Sequence, residues 1–330
     1  MKTMIIVKNA VKIFDNGIHA TDDVSFHITR GEKVGLIGVN GAGKTTLIRL
    51  ICGLLRPDSG YIRVFRREPL SRDKSIGMKM GMVYGLSGIL AGKGKVSFGF
   101  DALSAFEGSG NLDKDLTIKN NFELIRTIYR IPKDLFQMRF KELDDALGIG
   151  EYMNYHVGQL SLGQKMRAEI ASVLIYEPEL LILDEPLIGI DVSAKESVRE
   201  LLRKKSSDQN MTIILATHNV EEIEKICDRV MFLDKGKLIY NGSFDKIKYS
   251  YGCMNRISVE FEEDVPDLLD LPVVRYVIQN HRMTAWYNSD LVSAKEITSF
   301  IASRYKIKDL LIHKPTIEET VKNMVGEMYT

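Results

Sequence analysis

Residues 33–55 read KVGLIGVNGAGKTTLIRLICGLL. Val34 to Ile37 form a short apolar run bounded by turn residues, the pattern of a buried strand. Gly38, Gly41, Gly43, Lys44 and Thr45 then fill G-x-x-x-x-G-K-[ST]. Leu47, Ile48, Leu50 and Ile51 continue as one helix face, which Gly53 ends. Each residue type has a physical reason. The loop glycines let backbone N–H groups and the helix N-terminus converge on phosphate oxygens, Lys44 neutralises the outer phosphates, and the Thr45 hydroxyl ligates Mg²⁺. The candidate phosphate cradle is therefore Gly38, Asn40, Gly41, Ala42, Gly43, Lys44, Thr45 and Thr46.

A second stretch, LLILDEP at 180–186, reads as a buried parallel strand with Asp184 and Glu185 at its carboxyl end. Ligands of open α/β sheets bind at that end. Asp184 is the candidate to hold Mg²⁺ and Glu185 to polarise an attacking water. Two carboxylates after a strand are often only solvated turn residues; beside a glycine loop the chemical reading prevails. Between the two stretches, LSLGQKMRAEIASVL (160–174) puts Ser161 and the Gly163 amide at a helix start whose apolar face is Met166, Ile170 and Leu174. Such a start attracts anions, and it is also an ordinary helix cap.

Bulk composition narrows the classes. The chain has 330 residues, enough for one large domain and a smaller one, and 45 basic residues balance 44 acidic ones. That balance gives no footprint for nucleic acid, so no nucleic-acid partner is expected. The densest basic cluster, Arg203, Lys204 and Lys205, reads as favourable charge at a helix C-terminus. Cys52, Cys227 and Cys253 are scattered without a CxxC pair, as for free thiols in a reducing compartment. No signal peptide and no run of membrane-spanning length is read, so any membrane role would come through a partner chain.

The sequence LSLGQ at 160–164 resembles the signature of ATP-binding cassette (ABC) ATPases, with Leu162 in place of a glycine, and Asp184 follows Ser161 at the family's spacing of 23 positions. The resemblance covers residues 4 to about 245. It implies that IGID (188–191) is the loop whose Asp191 crosses between subunits, and that His218, ending TIILATH, contacts the outermost phosphate. It also implies that Ser161, Gly163 and Gln164 bind the nucleotide held by a partner subunit. Phe14, in NAVKIFDNG, stands where the family stacks an aromatic on adenine; Lys12 and Phe14 are expected on one strand face, Val11 and Ile13 on the other. The implied fold is α/β, a P-loop NTPase of ABC ATPase type with a mixed sheet core and a helical subdomain. The implied chemistry is hydrolysis of ATP with Mg²⁺, with Lys44, Glu185 and His218 catalytic. The chain looks most similar to ATPase subunits of bacterial type-two exporters, in an uncharacterised or viologen-exporter-like branch. Such a subunit forms a homodimer, or pairs with a sibling ATPase, on a polytopic membrane permease, at the inner face of the cell membrane on the cytoplasmic side.

Along the chain, the expected nucleotide-binding domain is 1–245, with a helical subdomain at about 115–160 marked by Phe122, Ile125 and Ile128, then Phe136, Phe140, Leu143 and Leu147. A linker is expected at 246–252. Residues 253–330 alternate as βαββαβ, a small α+β ferredoxin-like domain, with a final helix over 318–324. One departure stands out. The resemblance calls for a glutamine near Gly85 or Leu86, yet the first glutamine in the chain is Gln137. A glycine-rich insertion follows at about 86–113. Ser87 or Asp101 could reach the site from it, it could dock a permease, or the site could be slow or inactive. The rivals to an exporter ATPase are accordingly a non-transport ABC ATPase and an ATP-binding regulatory module with impaired hydrolysis.

Overall fold

The computed structural model describes residues 2–70, 74–85, 111–251, 254–263 and 272–313. The chain divides into two compact units, Met1–Asn241 and Gly242–Thr330. The 86–110 part of the insertion, with Leu86, Ser87 and Asp101, lies outside the described residues, as do the helices expected at 264–271 and 318–324.

In the first unit, β1 (Thr3–Ile13), β2 (His19–Thr29) and β4 (Ser59–Val64) form an antiparallel sheet in the order β2-β1-β4. The second sheet has six strands in the order β5-β6-β7-β3-β8-β9. These are β3 (Lys33–Ile37), β5 (Met80–Tyr84), β6 (Leu180–Asp184), β7 (Thr212–Ala216), β8 (Arg229–Asp234) and β9 (Lys237–Gly242). The run from β5 to β8 is parallel. Every residue of β6 and β7 is buried, as both faces of a parallel sheet require. Helix α1 (Lys44–Ile51) buries Leu47, Ile48, Leu50 and Ile51 in the core that joins the two sheets. A single turn, α2 (Lys74–Gly77), precedes β5.

The helical part opens at α3 (Ile118–Ile128), capped by the Thr117 hydroxyl, which accepts from Asn120 N. Helix α4 (Lys133–Leu147) follows, and Phe122 meets Phe140 edge to face at 5.7 Å. Helix α5 (Leu162–Leu174) leads into β6, and α6 (Val192–Gln209) leads into β7. The Arg203–Lys205 cluster does not end its helix, because α6 runs on to Gln209 and is stopped by Asn210 at φ 52°. The cluster ties helices together instead. Lys204 and Lys205 donate to Glu142 of α4 at 3.0 and 2.5 Å, which holds the Glu142 carboxyl below its ordinary range. Arg203 donates to the Lys225 carbonyl at the end of α7 (Val220–Ile226). Cys52 and Cys227 are buried free thiols.

In the second unit, α8 (Phe244–Tyr251) occupies most of the stretch expected as a linker; Phe244 and Ile247 are buried, and that apolar pair four positions apart favours a helix over an extended link. Strands β10 (Met254–Phe261), β11 (Arg275–Gln279), β12 (Arg282–Asn288) and β13 (Ile307–His313) form an antiparallel sheet in the order β11-β12-β10-β13. Its buried face, with Ile257, Val259, Phe261, Met283, Ala285 and Tyr287, packs Ile297 and Ile301 of α9 (Ala294–Ala302). This sheet order is the one that a βαββαβ chain produces with antiparallel neighbours.

Candidate active site

Three adjacent strands deliver the chemistry. In register, Leu36 of β3 faces Ala216 of β7, which faces Asp184 of β6. The glycine loop, the Thr217–His218 turn and the Asp184–Glu185 pair therefore leave the sheet side by side at its carboxyl end. The loop is shaped by close backbone approach. Gly43 has φ 102°, and a Cβ on it would lie 2.0 Å from the Ala20 carbonyl oxygen. Lys44 donates to the Gly38 and Val39 carbonyls at 2.5 and 3.2 Å, so its ammonium sits within the loop. Burial pulls the Lys44 amine below its usual range, while the charges of Glu185 and Asp184 oppose that.

The Thr45 hydroxyl donates to Asp184 Oδ2 at 3.0 Å. Asp184 is only 3% exposed, and burial raises its carboxyl above the ordinary range, opposed first by that hydroxyl. A hydroxyl beside a buried carboxylate is the hard-oxygen donor set that suits magnesium, which takes its remaining ligands from water and phosphate. These two residues fit the metal expected there.

Glu185 leaves β6 with φ 53°, a left-handed conformation that costs a non-glycine residue about 1 kcal/mol or more. The turn aims its carboxylate at the switch loop. Glu185 Oε1 lies 2.7 Å from His218 Nδ1 and accepts from His218 N at 2.9 Å; Oε2 accepts from the Thr217 hydroxyl at 2.9 Å. The structure thus brings together Lys44, Thr45, Asp184, Glu185 and His218 as the sequence implies.

Other sequence-derived residues sit apart from that cluster. Ser161 caps α5 in a reciprocal box, its hydroxyl accepting from Gln164 N at 3.3 Å while Gln164 Oε1 accepts from Ser161 N at 2.9 Å. Asp191 caps α6 by accepting from Ala194 N at 2.9 Å, and that hydrogen bond is the largest cause of its lowered carboxyl pKa. The two loops interlock. A Cβ on Gly189 would meet Leu162 Cδ2 at 2.4 Å, and one on Gly163 would meet the Gly189 carbonyl at 2.8 Å. Leu162, the departure from the signature, is therefore packed over the loop that carries Asp191. Phe14 lies one residue past β1, in a turn where Gly17 N donates to its carbonyl at 2.8 Å. The expected division of faces does not hold there: Ile13 is 39% exposed and Phe14 38%, because the strand is ending and the turn lifts both into solvent.

The position expected to carry glutamine is closed to any side chain at Gly85. Its N–H donates to the Asp184 carbonyl at 2.5 Å, and a Cβ would lie 2.7 Å from the Glu185 carbonyl oxygen and 2.8 Å from Glu185 Cβ. Where the description resumes, Asn111 is tied down instead. Glu169 of α5 accepts from Asn111 N at 2.8 Å and from Asn111 Nδ2 at 3.1 Å, and the same amide donates to the Met82 carbonyl of β5 at 2.7 Å. Full burial pushes the Glu169 carboxyl up to about 7, partly offset by the Asn111 backbone N–H. The sequence reading missed this clasp, since Asn111 and Glu169 are 58 positions apart and neither belongs to a motif.

A prediction follows from the sign of that shift. The unfolded chain loses the Glu169 proton near its ordinary value, whereas the folded chain keeps it to about pH 7. Folding is penalised increasingly across that window and by a constant amount above it. Glu169→Gln should therefore stabilise the protein by up to about 3 kcal/mol at pH 8, with little effect at pH 4.5. Denaturant melts at the two values measure this; equal effects at both would refute it.

A glycine loop, an adjoining Thr–Asp pair for a hard cation and a glutamate held at the sheet end define a nucleoside triphosphatase of the phosphate-loop class. The chain belongs to the ABC transporter family, whose model matches residues 21–188. It is 30% identical over 230 residues to the ABC transporter ATP-binding protein NatA of Bacillus subtilis, covering 70% of this chain and 84% of that one. It is 31% identical over 246 residues to the methionine import ATP-binding protein MetN 2 of Bacillus cereus, covering 72% of this chain and 66% of that one. Among solved structures, the dimeric post-hydrolysis state of the ATP-binding cassette MJ0796 bound to ADP and Pi superposes with TM-score 0.59 at 25% identity, covering 73% of this chain and 98% of that one. The protein is an ABC ATP-binding subunit that hydrolyses ATP.

Proposed function

We propose that this ATPase drives an ABC exporter, working as a homodimer or beside a sibling ATPase on a separate polytopic permease, at the cytoplasmic face of the cell membrane. The observation that carries the reading is the constellation of Lys44, Thr45, Asp184, Glu185 and His218 on three adjacent strands, with a signature helix and an Asp191 cap on separate helices. Phe14, exposed at the end of β1, stacks on adenine. The cradle from Gly38 to Thr46, with Asn40, Gly41, Ala42 and Gly43, presents amides to the phosphates, and Lys44 supplies the neutralising charge. Thr45 and Asp184 hold Mg²⁺, which, when bound, neutralises charge on the phosphate oxygens.

Glu185 polarises the attacking water, and His218 holds Glu185 and reaches the outermost phosphate. Ser161, Gly163 and Gln164 of one subunit close over the nucleotide of the other, and Asp191 crosses the same interface. One chain supplies one loop and one signature, so a two-fold pair completes two sites. Among the described residues no helix is long and apolar enough to cross a membrane, which suits a subunit acting through a permease. The similarity of LSLGQKMRAE and MVYG to type-two exporters favours export, although one relative is named for methionine import.

The test is reconstitution with the co-purified permease in vesicles, following the movement of candidate substrates under ATP. ATP-driven movement out of the nucleotide side is expected. Movement toward the nucleotide side would overturn export, and capture on ribosomes in place of a membrane protein would overturn transport.

A further inference from the structure

We infer that Thr217 is a positioning residue for Glu185, and that Lys195 holds it in that role through Glu222. The inference rests on the reading of Glu185 as the group that polarises water. Thr217 is fully buried, and a valine would fill the same volume, so packing gives no reason for a hydroxyl. A buried hydroxyl is costly unless its hydrogen bonds are made. Here it accepts from Asn219 N at 3.1 Å and lies between two carboxylates, 2.9 Å from Glu185 Oε2 and 3.4 Å from Glu222 Oε2.

A hydroxyl has one proton to give. Both carboxylates want it, and only the one that receives it is oriented by it. The Glu222 side chain is 5% exposed and is occupied from its other side, where Oε1 pairs with Lys195 Nζ at 3.2 Å. That pairing draws Glu222's charge away from the hydroxyl and leaves the proton to Glu185. With His218 fixing Oε1 from N and Nδ1, the carboxylate is then held at both oxygens by the two residues of one turn. Lys195 stands in the first turn of α6, four residues after the Asp191 cap. The orientation of Glu185 is thereby linked to the helix that Asp191 heads.

The test uses the full chain and measures kcat, KM for Mg-ATP, and thermal melting. Thr217→Val should lower kcat by about 10- to 100-fold with KM and melting temperature little changed, because orientation of the base is lost while the cradle is untouched. Thr217→Ser, which keeps the hydroxyl, should restore most of the rate. Lys195→Met should also lower kcat, and adding Glu222→Gln should restore it, since a neutral amide no longer competes for the proton. This suppression separates positioning from packing, and it decides the matter if Thr217→Val does not fold. A Thr217→Val protein with wild-type kcat beside an inactive Glu185→Gln would overturn the inference alone. Equal losses in the valine and serine variants, with KM and melting changed together, would overturn it in favour of packing. Normal turnover in Glu185→Gln would overturn the reading of Glu185 and the inference with it.

Discussion

Glu185→Gln is expected to abolish steady-state ATP turnover, by about 10²- to 10⁴-fold, while ATP still binds. Glutamine keeps the shape and an acceptor oxygen, so the hydrogen bonds from His218 N at 2.9 Å and Thr217 Oγ1 at 2.9 Å have an acceptor for one of the two. It removes the negative charge that draws a proton from water. Nothing in the cradle changes, since Lys44 is anchored on the Gly38 and Val39 carbonyls and Thr45 on Asp184. Binding and turnover should therefore separate, and the variant should accumulate as an ATP-bound dimer. The same measurement addresses the absent glutamine. A wild-type rate that Glu185→Gln eliminates means that the site works although Gly85 has no room for a side chain. Residual turnover within about tenfold of wild type would assign the base to another group.

What the sequence made legible was whatever spacing encodes locally. A glycine loop between a strand and a helix can be read because its phosphate-binding groups lie within nine residues, and Asp184 and Glu185 can be read because they end an apolar strand. The sheet then joins such segments without further instruction, β7 lying between β3 and β6. The clasp between Asn111 and Glu169 was not legible, nor was the seating of Leu162 over Gly189. These contacts join residues tens of positions apart, and no local periodicity announces them. Thr217 escaped for a different reason. A threonine ending a β-branched strand looks like strand propensity, and only the tertiary structure shows its hydroxyl between two carboxylates. The basic cluster at 203–205 was misplaced because helix ends are set by a cap: Asn210 in the left-handed region, several residues further on, stops α6.

Asp184→Asn is expected to stabilise the fold and destroy the enzyme. The carboxyl is raised above its ordinary range mainly by burial, with the Glu185 charge adding to the effect and the Thr45 hydroxyl and Lys44 opposing it. A folded-state value above the unfolded one means that ionisation is easier in the unfolded chain. The penalty on folding is absent below the unfolded value, near 3.9, and fully developed once pH exceeds the raised folded value. At neutral pH, without nucleotide, the neutral amide should raise the melting temperature by about 2–4 °C, the scale of 1 kcal/mol in a chain of this size. That gain should shrink as pH falls toward 4. The Thr45 hydroxyl keeps an acceptor in the amide oxygen, so the local packing survives. Magnesium, however, loses its only anionic protein ligand in the site, and turnover should fall at least about 10²-fold. The two effects should cross in one experiment. Saturating Mg-ATP should raise the wild-type melting temperature well above that of the variant, by mass action on the folded state, while without ligand the variant should melt higher. A variant that melts lower without ligand would show that the Asp184 charge supports the fold through Lys44, and the buried carboxylate could not then be described as stability given up for metal binding.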